Sequence, residues 1–382
     1  YRQHLNPDRP TVGITFPRSY WLEHNTAHIE ALVTAVEELD ANTVPFFCLR
    51  LPDARRGNPG MAQVLENLLR DDEGRCVVDT LVDVHGMSMT AGVPANADAY
   101  PNLGVSVLHA LTSYAPRAAW QATAQGMGSM DVATQAAQPE FDGALITKLL
   151  ATREVDTVDE LTGAVVPRMV PIPGRAQAMA ELALSWARLA RTPAGQRKVA
   201  IVFHHHPPRN DRIGCASGLD TFESVRQLLI RMADEGYDVP EQFETGDDIA
   251  QVLLSCLTCD QRWLTPEQMH ERAEAHADLE TSRPWYRGLP DSVRECMDRN
   301  WGPHPGTLFV HDDEFSFAGH LDGNVLLTIQ PPRGTFEAVT DSAIHDPVLP
   351  PPHHYLAHYR WIRDVFKADA VIPVSYTHLT LP

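Results

Sequence analysis

The sequence predicts a multidomain α/β protein in which helices cover parallel sheets and one domain carries a helical insertion. The length of 382 residues exceeds what one ordinary hydrophobic core accommodates, so two or three domains are expected. Short continuous apolar runs alternate with segments of helical periodicity, which is typical of parallel strands buried on both faces. A polar, helix-rich stretch at about 242–305 then separates two strand-like segments of the second half.

The first half alternates strands and helices, as in flavodoxin-like parallel-sheet units. Its strand-like runs are "TVGITF" (Thr11–Phe16), "TVPFFCL" (Thr43–Leu49), "VDTLVDV" (Val78–Val84) and "GVSVLHAL" (104–111). Asn25 is a possible N-cap for the helical pattern "HIEALVTAVEEL", and "MAQVLENLL" is a second helix. Because ligands usually bind at the carboxyl ends of parallel strands, functional residues are expected in the loops that follow them.

The second half begins with the long amphipathic helix "RAQAMAELALSWARLAR" (Arg175–Arg191) and the short linker "TPAGQ". A strand, "KVAIVF", precedes the helix "DTFESVRQLLIRMADEG", where Asp220 and Glu223 have capping-box spacing and Gly236 is a natural stop. The clearest helix of the polar stretch is "WLTPEQMHERAEAHADLE", and strand "NVLLTIQ", helix "YLAHYRWIRDVF" and strand "ADAVIPV" follow.

The predicted domain boundaries follow these elements. They are an N-terminal α/β domain at 1–173, a connecting helix and linker at 174–197, a second α/β domain at 198–372 with the helical insertion at about 242–305, and a separate tail at 373–382. The chain begins without methionine and stops soon after a strand-like run, so we expect it to be a fragment.

Composition excludes several classes of protein. Hydrophobic residues make up 43% of the chain, and no run approaches the ~20 apolar residues of a membrane span, which predicts a soluble protein. The balance of 31 Lys+Arg against 50 Asp+Glu gives a net charge of −19, which argues against a nucleic-acid partner. The six cysteines are too sparse for a disulfide framework and favour a reducing, cytoplasmic compartment.

Three consecutive histidines follow the strand "KVAIVF". His204 and His206 could share a face while His205 points away, and adjacent histidines rarely supply three ligands to one metal ion. One interpretation is imidazoles at a strand end, hydrogen-bonded to a loop; the alternative is that one or two of them face a pocket. Arg209 and Arg212 lie in the glycine-containing loop that follows, where no nucleotide fingerprint is present but carboxylates could bind.

Cys256 and Cys259 have the spacing of a zinc or redox pair, but no second pair has fitting spacing, so we favour small core residues.

A proline-rich loop near the carboxyl end predicts the strongest site. It contains Gln330 and Arg333 in "QPPRG", then His345, His353 and His354 within "HDPVLPPPHHYLAHYRW". Prolines lower the entropy cost of holding polar groups in place, so this loop could form a metal or acid–base site at a strand end. The alternative is a set of turn-forming prolines with solvated histidines.

The order of these motifs resembles the family shared by the cobaltochelatase large subunit and the H-type subunit of magnesium chelatase. The matching runs are "AIVFHHHPPRNDRIGCASGLDTFESVRQLL", "QPPRG", "HDPVLPPPHHYLAHYRW" and "ADAVI", with "DVHG" and "PEFDGALITK" in the first half. The resemblance covers nearly the whole chain up to Ile372.

The resemblance implies a subunit that inserts Co²⁺, a substrate metal, into the corrin precursor hydrogenobyrinic acid a,c-diamide. ATP and Mg²⁺ would be used by separate AAA+-type ATPase subunits and not bound here. His345 and His353 would act as bases and transient metal ligands. The substrate would be held by Gln330, Arg333, Arg209, Arg212 and His354.

Two features favour the cobalt branch over the magnesium branch. After Gln-Pro-Pro-Arg-Gly come a His-Asp pair and Pro-Pro-x-His-x-Tyr, whereas in the magnesium branch a different run follows Gln-Pro and a Pro-His-Pro-Gly loop stands instead. The family's usual His-Val-Gly-x-His-Gly-x-x-Glu motif does not follow "ADAVI", where Pro373 stands at the first His, so we expect the fragment to be inactive alone. The alternatives are a magnesium chelatase component acting on protoporphyrin IX and a non-catalytic α/β module that binds a small acidic ligand.

Overall fold

A computed structural model describes residues 5–334 and 348–374. The chain divides into two compact units, Tyr1–Arg191 and Thr192–Pro382. The helix Arg175–Arg191, which we expected to connect the domains, belongs to the first unit because its apolar face lies in that unit's core.

The strands are β1 (Thr11–Pro17), β2 (Asn42–Cys48), β3 (Thr80–Asp83), β4 (Ser106–Ser113), β5 (Leu145–Val158), β6 (Val165–Pro171), β7 (Val199–Phe203), β8 (Ala275–Ala277), β9 (Val310–His311), β10 (Glu314–Phe317), β11 (Gly319–Asp322), β12 (Val325–Ile329) and β13 (Ala370–Val374). The helices are α1 (Arg18–Leu22), α2 (Ala27–Glu38), α3 (Met61–Leu69), α4 (Ala99–Leu103), α5 (Arg117–Ala122), α6 (Ser129–Asp131), α7 (Gln138–Phe141), α8 (Arg175–Arg191), α9 (Thr221–Asp234), α10 (Gly246–Ser255), α11 (Pro266–Arg272), α12 (Leu279–Arg287), α13 (Asp291–Trp301) and α14 (His353–Trp361).

The first unit is built on one sheet with the strand order β2-β1-β3-β4-β5-β6. Strands β1 to β5 are parallel, and β6 returns antiparallel to β5. This order is that of a flavodoxin-like sheet, which confirms the predicted fold class. Helices α2 and α8 contribute to one core with β1, and α3 and α4 contribute to another with β2, because the strands are apolar on both faces.

The second unit contains a sheet with the order β11-β12-β7-β13, in which β7 pairs in parallel with both β12 and β13. β7 is buried throughout, as its unbroken apolar run predicts. A second small sheet, β8-β10-β9, is antiparallel and lies next to the aromatic side of α14.

The predictions for Asn25 and for the segment 263–280 were wrong, and one hairpin was missed. Asn25 does not cap α2; its side-chain oxygen accepts a hydrogen bond from the Met169 amide of β6 at 2.8 Å. The pattern in 263–280 is not one helix, since α11 ends at Arg272 and β8 follows it. The hairpin β5–β6 was not predicted, because its exposed residues hide the strand pattern.

Within the described residues, none of the helices combines the length and apolar character that a membrane span requires.

Candidate functional site

The carboxyl ends of two strands of the second unit bring together His204 and Gln330. Phe203 of β7 is in register with Ile329 of β12, so the residues after both strands are neighbours. His204 Nδ1 lies 3.1 Å from Gln330 Oε1, and the Gln330 amide donates to the Phe203 carbonyl at 2.9 Å. Burial lowers the pKa of His204, so its imidazole is neutral at pH 7. A hydrogen-bonding edge is therefore present where parallel-sheet proteins bind ligands.

His205 points away from this edge, as alternation along a strand predicts. Its ring is buried, and Nε2 donates to the Arg209 carbonyl at 2.9 Å. Burial lowers its pKa to about 4. The first interpretation of the histidine triplet, a ring that fastens the following loop, is thus confirmed for His205.

The two arginines of that loop converge on a carboxylate of the chain itself. Arg209 binds Asp211 through two hydrogen bonds of 2.9 and 2.8 Å, and Arg212 Nε lies 3.7 Å from the same carboxylate. All three side chains are about half exposed. A carboxylate ligand would have to compete with Asp211, a partner that was not predicted, so substrate binding by Arg209 and Arg212 stays a prediction.

Arg333 holds the proline-rich loop together. Its Nη2 donates to the Leu349 carbonyl at 2.7 Å, which joins the two described ends of the loop. His345 lies outside the described residues, so its predicted proximity to His353 stays a prediction.

His353 begins α14 and borders a cavity of about 340 Å³. Its Nε2 donates to the Gly302 carbonyl at 2.9 Å and lies 3.7 Å from Asp298 Oδ1. The cavity is lined by Asn300, Trp301, Pro305, Gly306, Thr307, Leu308, Pro352, His353 and His354. The structure thus places this predicted catalytic histidine beside a cavity, with one ring nitrogen committed to the backbone.

Three residues that were not predicted surround His353. The His304 ring centroid is 5.4 Å from that of His353 and 4.9 Å from that of Tyr286. Tyr286 donates to Asp298 at 2.6 Å, and burial together with this bond raises the pKa of Tyr286 to about 12. Burial, assisted by His353, lowers the pKa of His304 to about 4. The His304 imidazole, which this low pKa keeps neutral at pH 7, could accept a proton or act as a transient cation ligand beside His353.

The sequence contains a feature that could have revealed His304. Residues 303–306 read Pro-His-Pro-Gly, and prolines and glycines on both sides restrict the loop that holds the ring. The Pro-His-Pro-Gly loop expected of the magnesium branch would follow Gln-Pro, whereas this run precedes Gln330, so it does not decide between the two branches.

His354 is buried in an aromatic cluster. Its ring stacks on Phe309 and Phe317 with centroid distances of 4.4 and 5.6 Å, and Nε2 donates to the Ser316 carbonyl at 3.0 Å. Burial lowers the pKa of His354 to about 4 and that of His358, one turn later, to about 3. Both rings anchor α14, and substrate contact by His354 stays a prediction.

The first unit has a buried charged pair at the end of β3, in the "DVHG" run. His85 Nδ1 lies 2.6 Å from Asp83 Oδ1, and Cys48 Sγ lies 3.7 Å from His85 Nε2. Burial opposes the charge on His85, but the Asp83 carboxylate outweighs it and raises the pKa of His85 to about 10. Conversely, His85 and His109 hold the pKa of Asp83 below its usual range despite burial. The sequence indicated this motif only through the family resemblance, and its ion pair was not predicted.

Two groups of side chains in the described part of the chain have ligand atoms close enough for a metal ion. One is His270, His276 and Glu314; the other is Cys256, Glu274 and His320. Cys259 belongs to neither, since it is fully buried among apolar residues and burial raises its pKa. The interpretation of Cys259 as a core residue is confirmed, whereas Cys256 meets partners far along the chain.

Comparison with known proteins gives the chain's relationships. The family model described as CobN/Magnesium Chelatase matches residues 1–381. The chain belongs to this family. The match includes nearly all of residues 373–382, which we expected to lie outside the family; Pro373 and Val374 lie in β13, paired with β7.

Relatives in the family cover almost all of this chain. An uncharacterized protein of Methanocaldococcus jannaschii is 32% identical over 96% of the chain and 30% of the relative. The aerobic cobaltochelatase subunit CobN of Sinorhizobium sp is 29% identical over 95% of the chain and 27% of the relative. The H-type subunit of the magnesium chelatase of Rhodobacter capsulatus is 26% identical over 95% of the chain and 30% of the relative.

A solved structure agrees with these matches. The catalytic subunit of cobaltochelatase from Mycobacterium tuberculosis has a TM-score of 0.76 and 31% identity, covering 96% of this chain and 30% of that one. The chain therefore spans about 30% of the length of the family members it matches.

Proposed function

We propose that this chain is part of the large, substrate-binding subunit of an ATP-dependent cobaltochelatase. Such a subunit would insert Co²⁺ into hydrogenobyrinic acid a,c-diamide during cobalamin biosynthesis. The observation that carries the proposal is the likeness, over 96% of the chain, to a cobaltochelatase catalytic subunit. ATP hydrolysis, with its Mg²⁺, would take place on partner AAA+-type subunits.

Metal insertion exchanges inner N–H protons of the ring for Co–N bonds, so these protons must leave the ring as Co²⁺ enters. Bases beside the ring would accept these protons, and weak ligands would replace the water around the cation. His353, which borders the cavity, could supply such a group. Behind it, the His304 ring centroid lies 5.4 Å from the His353 centroid, and Asp298 Oδ1 lies 3.7 Å from His353 Nε2. His345 is proposed to join them.

Positive and amide groups would hold the macrocycle by its acidic and amide side chains. Gln330 and Arg333 follow β12 in the same loop, and Arg209 and Arg212 follow β7. A guanidinium binds a carboxylate through two hydrogen bonds, which resists rotation of the ring during insertion. The Asp211 carboxylate would release Arg209 when a substrate carboxylate replaces it.

Binding of the free ring tests the proposal without the partner subunits. Hydrogenobyrinic acid a,c-diamide is titrated into the chain and followed by its absorbance. Arg333→Ala is expected to weaken binding by about tenfold to a hundredfold, because a charge-assisted hydrogen bond contributes about 1.5–3 kcal/mol. Arg363→Ala is the matched control, since Arg363 is exposed and pairs with its neighbour Asp364.

Unchanged affinity in both Arg333→Ala and Arg333→Lys would contradict the role of Arg333 as a clamp. A magnesium chelatase component is the second candidate, favoured by the 26% identity, over 95% of the chain, to the H-type subunit of a magnesium chelatase. Tighter binding of protoporphyrin IX than of the corrin precursor would establish that candidate. The third candidate is a non-catalytic binding module. It would be indicated if the natural full-length protein, supplied with ATPase partners and ATP, bound the ring but inserted no metal.

A further inference from the structure

Three ligand atoms of different chemical types converge at one edge of the second unit. Cys256 follows α10, Glu274 precedes β8, and His320 lies in the edge strand β11. Cys256 Sγ lies 3.2 Å from Glu274 Oε1, His320 Nδ1 lies 2.9 Å from the same oxygen, and Sγ lies 4.0 Å from Nδ1. Ligand atoms around one tetrahedral zinc ion, at about 2.0–2.3 Å from the metal, have similar separations.

The second ring nitrogen of His320 and the second carboxylate oxygen of Glu274 have hydrogen-bond partners of their own. His320 Nε2 lies 3.0 Å from Glu241 Oε1, and the Leu321 amide donates to Glu274 Oε2 at 2.9 Å. Proteins commonly orient a metal-binding histidine by giving its second nitrogen to a carboxylate. His320 Nδ1, Glu274 Oε1 and Cys256 Sγ therefore face one another, while the second nitrogen of the imidazole and the second oxygen of the carboxylate are held by other groups.

The hydrogen bonds within the group are of the kind that a cation replaces. The Cys256 thiol donates to Glu274 Oε1, and Nδ1 of His320 contacts the same oxygen. When a divalent ion binds, the thiol proton leaves as the metal–Sγ bond forms, and any proton on Nδ1 leaves as the metal–Nδ1 bond forms.

The donor set indicates the class of ion. Thiolate and imidazole select zinc-like transition ions over Mg²⁺ and Ca²⁺, which prefer oxygen ligands alone. Cys256 is buried, the His320 side chain is 13% exposed and the Glu274 side chain is 36% exposed, so one side remains open for a water ligand. We propose that Cys256, Glu274 and His320 bind one divalent transition-metal ion of the zinc class, with Glu241 as the residue that orients His320.

This site does not depend on the proposed chelatase function. It would join the end of α10, the segment before β8 and the edge strand β11 by one ion. Binding of this ion would stabilise the fold of the second unit, independently of the ring or substrate metal that the protein binds elsewhere.

Co²⁺ is the spectroscopic probe, because a Co²⁺–thiolate bond gives a near-ultraviolet charge-transfer band that histidine and carboxylate ligands do not give. Titration of the full chain is expected to produce this band at one equivalent, and Zn²⁺ is expected to remove it by competition. Cys256→Ser should abolish the band. Glu241→Gln should weaken binding by about tenfold to a hundredfold, which is the usual cost of losing an orienting partner.

Two matched variants serve as controls. Cys215→Ser removes an exposed thiol elsewhere in the second unit, and His276→Ala disrupts the other group of close ligand atoms. Both should retain the band.

Absence of the band in the unmodified chain would overturn the proposal, and this result does not depend on whether any variant folds. A band that persists in Cys256→Ser would also overturn it, since another thiol would then be the ligand.

Discussion

Individual histidines in this chain behave according to the group that meets each ring. His354 and His358 are buried against aromatic rings and backbone, so burial lowers the pKa of each. His85 is equally buried, but Asp83 lies 2.6 Å away and raises its pKa to about 10. Burial alone therefore does not decide the charge of a histidine; a carboxylate in contact reverses the outcome.

The Asp83–His85 pair leads to a prediction for the first unit. Because the pKa of His85 is raised in the folded protein, its contribution to stability is full below pH 6.5 and declines as pH rises towards 10. The pKa of Asp83 is lowered, so the contribution of Asp83 is present above pH 3.8 and lost on strong acidification. Asp83→Asn is expected to destabilise the unit by about 3–5 kcal/mol at pH 7, because it leaves a buried imidazole without its charge partner.

Urea denaturation at pH 7 and pH 9 measures both effects. As pH rises from 7 to 9, the free energy of unfolding of the unmodified chain should fall by about 1.4 kcal/mol per pH unit because of His85. Asp83→Asn should remove this pH dependence. Asp40→Asn is the control, since Asp40 is exposed and pairs with the surface Arg9, so a change within about 0.5 kcal/mol is expected. An equal pH slope in the unmodified chain and Asp83→Asn would disprove the buried ion pair.

Among the elements, α9 shows what a capping pattern does and does not predict. Asp220 caps the helix as expected, and its Oδ1 accepts a hydrogen bond from the Glu223 amide at 3.1 Å. The Glu223 side chain does not complete a capping box; it binds Arg226 through bonds of 2.8 and 2.7 Å. A nearby guanidinium competes for the carboxylate, and sequence spacing alone does not register such a competitor.

Asp220→Ala is expected to lower the free energy of unfolding of the second unit by about 1 kcal/mol, because the first turn of α9 loses its acceptor. Asp234→Ala, at the other end of the same helix, is the matched control. A negative charge is unfavourable at a helix C-terminus, so removing it should be neutral or slightly stabilising. Similar losses from both substitutions, measured by urea midpoints, would show that the cap does not contribute.

Across the whole molecule, the two units are expected to respond differently to acid. In the second unit, the pKa values of His205 and His354 are lowered to about 4, and that of His358 to about 3; in the first unit, His28 behaves similarly. Such groups bind protons more readily when unfolded, so stability is full above pH 6.5 and falls as pH falls towards 4. At pH 5, each of these histidines lowers the free energy of unfolding by up to about 2 kcal/mol relative to pH 7.

Urea denaturation at pH 7 and pH 5, with hydrogen exchange resolved by peptide, should show the second unit losing more stability than the first. His358→Gln should be less stable at pH 7 but should lose about 2 kcal/mol less between the two pH values. His24→Asn is the control, since His24 is exposed at a φ of 52° that Asn tolerates. An unchanged pH dependence in His358→Gln would exclude that ring as a cause.

Periodicity predicted most of the regular elements, because the spacing of apolar residues within a strand or helix shows which of its faces is buried. The apolar run "KVAIVF" became β7 and the pattern "MAQVLENLL" became α3 with the expected bounds. The hairpin β5–β6 and the short strand β8 were missed, since partly exposed or very short strands have little periodicity.

For the candidate sites too, the sequence located some residues but did not predict the contacts between distant ones. Sequence order placed Gln330 and Arg333 just after a strand, and they follow β12, whereas His353 begins α14. It did not predict that His304 would lie beside His353, nor that Cys256 would meet His320, 64 positions away. Local pattern specifies burial and element type, whereas contacts between distant side chains depend on strand pairing and loop paths, and only the folded chain contains those distances.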